Sequence, residues 1–215
     1  MREKIAHQKR LGRPANTGKR RVIAEELKKV ALDLFADRGY SQVTIKDIGI
    51  TANVNTAMIY YYFSDKESLC RAAIEDTAKQ LFSTFQKSIN KVEGPQQKVE
   101  SWFQTHIELM STIRKMVRVS LDLKTLGSDT SSKSSPIDIF YDLEREMLSD
   151  FIKAGIEKGE FREVDVDEVR RIVSTFLDGA VIRTLIRPKF DLVSTVSTFM
   201  EMLLVYLAVH PNKNI

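Results

Sequence analysis

Three tyrosines in succession, Tyr60, Tyr61 and Tyr62, are the run of this 215-residue chain with the most obvious chemical use. On a helix each advances by about 100°, so the three cannot all be core and at least one must face outward. An exposed phenol can donate to a phosphate oxygen while its ring packs against sugar or a thymine methyl. The alternative is that two rings close a small core and the third is merely solvated, and charge decides between the two. Residues 1–21 hold eight Lys or Arg against one acid, Glu3, while the remainder carries 25 basic and 28 acidic residues. Positive charge is thus gathered at one end, where a polyanion could be gripped. Other chemistry has little to work with. There is no Glu-x-x-His pair, glycine-rich phosphate loop, nucleophile elbow or zinc-protease signature. His7, His106 and His210 are too far apart for a zinc finger, and the single cysteine, Cys70, cannot form an internal disulfide. No catalytic residue, metal or cofactor is expected.

The elements that must position the tyrosines are helical throughout. Residues 1–19, with Gly12, Pro14, Asn16 and Gly18, read as a mobile basic arm. From about Arg20, Val22, Ile23, Leu27, Val30, Ala31, Leu34 and Phe35 recur at helical spacing up to Gly39. Thr44 is placed to cap a short helix with Ile45, Ile48 and Ala52 inward, Asp47 completing a weak capping box. After a break at Asn53, Asn55 caps a second short helix whose Ile59 and Phe63 share a buried face. Two short helices joined by a tight turn, the inner face anchored and the outer free, are the geometry of a helix-turn-helix. A long helix then opens at Ser64-Asp65 and ends near Gly94-Pro95. Further helices are expected from about Val99 to Leu126, Pro136 to Lys158, 165 to 187 and 191 to 209, with a polar loop at 127–135.

At these residues the chain resembles the TetR family of transcription regulators. The resemblance runs through Phe35-Ala36-Asp37-Arg38-Gly39-Tyr40, Thr44-Ile45-Lys46-Asp47-Ile48, Ile59-Tyr60-Tyr61-Tyr62-Phe63 and Ser64-Asp65-Lys66-Glu67-Ser68-Leu69. It departs at Gly49, Asn53 and Asn55, where alanine, glycine and serine are usual. Asparagine tolerates a left-handed turn and caps well, and Gly49 is expected to weaken its helix by about 0.5–1 kcal/mol relative to alanine. The resemblance implies an all-α protein with a three-helix DNA-binding domain at 20–65 and an effector-binding and dimerisation domain at 66–215, of which 66–90 is the connecting helix. It implies phosphate contacts for Thr44, Tyr60, Tyr62 and Lys66, and base reading by Lys46, Thr56, Ala57, Met58 and Tyr61 around the Asn55 cap. Of these, Lys46 suits guanine and Ala57 and Met58 suit thymine methyls. In the arm, Arg13 with Gly12 and Pro14 resembles a minor-groove hook, with Lys19, Arg20 and Arg21 adding charge beside it.

Beyond residue 90 the resemblance is looser, carried by Ala154-Gly155-Ile156-Glu157-Lys158-Gly159-Glu160-Phe161 and Phe176-Leu177-Asp178-Gly179. It implies a homodimer formed through the last two helices, with Val169, Val173, Phe176, Ala180, Val196, Phe199 and Leu203 in the interface. Apolar residues there exceed what one chain needs to bury. Trp102, His106 and Met110 follow a four-residue rhythm that Tyr141 and Phe176 could join, making an effector pocket for a small molecule. The expected partners are therefore a palindromic operator in double-stranded DNA, a small-molecule effector and a second copy of the chain. With no membrane span or secretory signal, a cytoplasmic location follows. Two rival readings are a non-specific architectural DNA binder working through the arm and a helical enzyme with a ligand cavity.

Overall fold

The computed structural model describes residues 17–126, 135–187 and 189–209. Thr17–Lys19, assigned above to the arm, already belong to the first helix, α1, which spans Thr17–Arg38. Arg13, the side chain of Lys19 and most of the loop expected at 127–135 lie outside the description. After α1 come a single 3₁₀ turn at Tyr40–Gln42, then α2 (Ile45–Thr51), α3 (Thr56–Tyr62), α4 (Lys66–Ile89), α5 (Pro95–Thr125), α6 (Asp138–Glu157), α7 (Val166–Ile186) and α8 (Leu192–Leu207). Apart from one antiparallel bridge, Phe161 to Ala208, the described residues contain no extended pairing. Helix α5 starts one turn earlier than its apolar rhythm suggests. Pro95 occupies the first helical position, where its missing N–H leaves nothing unsatisfied.

Caps fix the head. Thr44 accepts from Asp47 N at 3.1 Å while Asp47 Oδ2 accepts from Thr44 N at 2.8 Å, so the expected capping box is complete. Asn53 takes the left-handed conformation, with φ of 53°. Asn55 caps α3 by accepting from Met58 N at 2.7 Å. Asp65 caps α4 in a second box with Ser68. Beneath these ends lies a small core of Leu27, Ala31, Leu34, Phe35, Tyr40, Val43, Ile48 and Ile59, all buried. Val22 departs from the expected inward face and is exposed.

In the body, α4 and α5 pack against each other and both pack on α1, while α6, α7 and α8 close around α5. Trp102, Phe103, Met116, Leu148, Ile152, Val173, Val196 and Leu207 are fully or nearly fully buried there. Two of the residues assigned above to the dimer interface, Val173 and Val196, thus have no surface left to offer, and Val169 and Ala180 have little. Phe176 and Phe199 of that set are half-buried, and Val169, Phe199 and Leu203 line an apolar groove with Ile172, Met202 and Tyr206; Ile172, Val193, Met202, Val205 and Tyr206 are each at least half exposed. No described helix is long and apolar enough to cross a membrane.

Gly49 corrects a simpler expectation. A Cβ on it would stand 2.9 Å from the carbonyl oxygen of Val54, whose N–H donates to Gly49 O at 2.9 Å. The turn has closed onto this glycine, so the gain in helix propensity from alanine is opposed by backbone contact. A branched side chain cannot be placed without opening the turn. Gly49→Val is therefore expected to lower stability by about 1–3 kcal/mol in urea unfolding; a variant as stable as the parent would mean the turn yields freely.

Candidate nucleic-acid interface and effector pocket

Helix α3 presents one buried residue, Ile59, and an otherwise open surface. Thr56 and Ala57 are exposed, Met58 is just exposed, and Tyr60 and Tyr61 are more than half exposed. Tyr62 is half-buried against the head core and meets Tyr61 edge to face at 5.1 Å. Lys46, exposed on α2, flanks the same shallow concavity as Asn53, Asn55 and Thr56. The guanidinium of Arg20 lies 5.5 Å from the centre of the Tyr61 ring, which sets the root of the basic segment beside the free face of α3. Arg21 is exposed nearby on α1, at the cleft between α1, α4 and α5. Thr44 is exposed at the N-terminus of α2.

Lys66 has an internal task. Its Nζ donates to Tyr40 O at 2.9 Å and Val43 O at 3.0 Å and lies 4.3 Å from the Tyr40 ring centre. Two of its three protons thus tie the α1–α2 connector to the start of α4, leaving one for a phosphate. Asp122 completes the tie from α5, accepting from Tyr40 N at 3.2 Å. Two ion pairs reinforce it: Lys28 Nζ to Asp76 Oδ1 and Lys115 Nζ to Asp33 Oδ1, each 2.7 Å. The head is held by α4 and α5 together.

Of the residues expected around a pocket, Trp102 and His106 meet, with ring centres 4.1 Å apart, and both line a small cavity of about 10 Å³ with Phe82, Phe85, Phe140, Leu143, Glu144 and Met147. Met110 is buried one turn further along α5, and Tyr141 lies at the edge. Phe176 does not join them, since it stacks on Phe199 at 3.8 Å near the α8 side. Sequence reading missed the acids. Glu144 falls on the apolar stripe of α6 between Phe140 and Leu148, a carboxylate where a leucine would be expected. It accepts from Ser174 Oγ at 3.3 Å; beside it, Tyr141 OH donates to Asp178 Oδ1 at 2.9 Å. Burial, with Asp178 adding repulsion, pushes the Glu144 carboxyl up to about 7. Burial pushes His106 down to about 4, although its Nδ1 bonds Trp102 O at 3.1 Å. His106 is therefore neutral, and its 3.9 Å approach to Glu144 is not an ion pair. Cys70 is fully buried and its thiol is pushed up to about 12 by that burial, as suits a packing residue. Among the described residues no cluster of His, Cys, Asp or Glu could hold a metal ion.

Residues 27–73 match the family described as bacterial regulatory proteins, tetR family, and residues 74–206 match the C-terminal region of YsiA-like proteins. The chain is 27% identical over 150 residues to the HTH-type transcriptional repressor KstR2 of Mycolicibacterium smegmatis, covering 69% of this chain and 73% of the relative. It is 24% identical over 176 residues to the fatty acid metabolism regulator protein of Bacillus subtilis, covering 80% and 89%. Among solved structures, the fatty acid degradation regulator FadR of Bacillus halodurans superposes with a TM-score of 0.71 at 22% identity, over 84% of this chain and 94% of that one.

The two buried titrations oppose one another. Glu144, raised above its ordinary 4.5, lends stability in full below pH 4.5 and loses it as pH rises through about 7. His106, lowered from 6.5, lends stability above pH 6.5 and loses it as pH falls through about 4. Relative to the parent, Glu144→Gln should become steadily more stable as pH rises from 4.5 to about 7. His106→Asn should become less stable than the parent as pH rises from about 4 to 6.5. Parallel stability-versus-pH curves for parent and variants would show that the two groups titrate normally.

Proposed function

The chain belongs to the TetR family of bacterial regulatory proteins, and on that premise we propose that it is a homodimeric repressor that leaves a palindromic operator when a small molecule occupies the body. The observation that carries this is the free face of α3: a capped helix anchored by Ile59 and the half-buried Tyr62, with Thr56, Ala57, Met58, Tyr60 and Tyr61 outward and Lys46 and Arg20 beside it. Its N-terminal end enters the major groove, the tyrosines and Thr44 meet backbone oxygens, and Lys46 reads a guanine edge. Two copies related by a two-fold axis set their α3 helices about 34–36 Å apart, one turn of the duplex. The basic segment adds sequence-independent affinity through phosphate contact.

The dimer is supported by Ile172, Met202, Val205 and Tyr206, which leave an apolar groove on α7 and α8 uncovered in a single chain. A second copy presenting the same face covers it. Ligand response is supported by α5. One helix carries Trp102 and His106 at the cavity and Lys115 and Asp122 at the head, so filling the cavity displaces the ties on Tyr40 and Asp33. The B. subtilis FadR structure, which is in complex with stearoyl-CoA, has a TM-score of 0.65 at 20% identity over 86% of this chain and 98% of that one. A body of this fold that holds a small molecule is consistent with that reading.

Selection of bound duplexes from random DNA by the purified protein, at two salt concentrations, should enrich a palindrome. Enrichment of A/T-rich or unselected DNA alone would point to non-specific binding through the basic segment. Met202→Glu should give a monomer by sedimentation and lose operator binding, and a variant that stays dimeric would remove α7–α8 as the interface. Lys46→Ala should relax preference at one base of each half-site and cost about 1–3 kcal/mol; an unchanged preference would assign Lys46 to the phosphates.

A further inference from the structure

With Glu144 ionised, the cavity between α4, α5 and α6 offers acceptors only. The carbonyl of Trp102 can only accept, so the proton of neutral His106 sits on Nδ1 and its Nε2 is a bare lone pair. That nitrogen has no partner within hydrogen-bond distance among the described residues; Glu144 Oε1, across the cavity at 3.9 Å, is also an acceptor when ionised. Both side chains are more than nine-tenths buried and line the same small space. The remaining walls are aromatic and aliphatic, Phe82, Phe85, Trp102, Phe140 and Leu143. Behind Glu144 lies a second carboxylate, Asp178. Arg170 also acts on Glu144 through its charge; its Nε lies 3.5 Å from Asp167 Oδ1 without a hydrogen bond. With Glu144 ionised, a site with two acceptors, aromatic walls and no Lys or Arg in its lining favours a cationic donor over an anion.

The space is also extensible. Met147 lines both the cavity and an open cleft of about 340 Å³ between the same three helices, whose walls are Ile89, Phe151 and Ala154 together with the charged Glu93, Lys98, Asp150 and Lys158. Methionine has three rotatable bonds and yields easily, so turning it aside joins the two.

We propose that the cavity lined by His106 and Glu144 receives the protonated amine of an amphiphilic ligand, whose apolar part lies past Met147 in the cleft. The ammonium donates to Glu144 and to His106 Nε2 and sits against Trp102 and Phe85. This rests on the ligand-responsive reading above and names its ligand class.

Trp102, the single tryptophan of the chain, reports the site directly through its fluorescence. The full-length protein is titrated at pH 7 with decylammonium, decanoate and decanol, each below its micelle concentration. Saturable change is expected with decylammonium at roughly tenfold lower concentration than with decanol, and weaker still with decanoate. Glu144→Gln should weaken the amine roughly tenfold and leave the alcohol unchanged. Equal or tighter binding of decanoate or decanol, or no saturable response to the amine, overturns the proposal in the unmodified protein without recourse to a variant. Operator selection is carried out without ligand, so a failed amine titration beside an enriched palindrome refutes the ligand class alone.

Discussion

A helix of seven residues does not persist alone in water, because nucleation costs more than so few backbone bonds return. Both α2 and α3 have that length, so the reading surface exists only through what holds their ends and inner faces. Each has a side-chain N-cap worth about 1 kcal/mol, and each buries one large apolar residue completely, Ile48 and Ile59. The turn between them depends on Asn53 tolerating a left-handed backbone and on Gly49 lacking a side chain. Because these few supports suffice, nearly the whole outer surface of α3 stays free. A longer helix with a broader buried face would have consumed the tyrosines.

The same economy makes the head dependent on the body. Its connector, the 3₁₀ turn at Tyr40–Gln42, has its carbonyls bound by Lys66 from α4 and the N–H of Tyr40 bound by Asp122 from α5. Asp122 lies sixteen residues beyond His106 along unbroken helix, about 24 Å at 1.5 Å per residue. The same helix thus links the cavity wall at His106 to the Tyr40 tie at Asp122. Exchange between two arrangements of the head needs only a coupling of about 1–3 kcal/mol, comparable to a few of these hydrogen bonds.

The head was largely legible in sequence because its determinants are local. Caps at Thr44, Asn55 and Asp65 and the left-handed Asn53 act over fewer than five residues, and the structure realises each of them; of the Ile59–Phe63 pair only Ile59 is fully buried, Phe63 being the half-buried, extended residue that ends α3. The body was legible as helices but less so as faces. Val173 and Val196 look like interface from spacing alone, yet α5 and its neighbours bury them, and the uncovered apolar surface belongs to Met202, Val205 and Tyr206. Which stripe of an all-round apolar helix faces inward is settled by its packing partners, and a single sequence does not display them. Glu144 carried a signal, an acid on the apolar row of α6, whereas Asp122 sits unmarked among other charges of α5.

A buried carboxylate facing a bare imidazole nitrogen is a poor way to fill a core. Neither group gains a strong partner from the other, and apolar side chains of similar volume would serve stability better. The deficit belongs to the state with the cavity closed, so a ligand that satisfies both acceptors recovers it on binding. Energy recovered only in the occupied state is differential affinity, which is what moves an equilibrium between two arrangements of the molecule. The pair therefore weakens the empty body between α5 and α6, beside the two helices, α4 and α5, that hold the reading head.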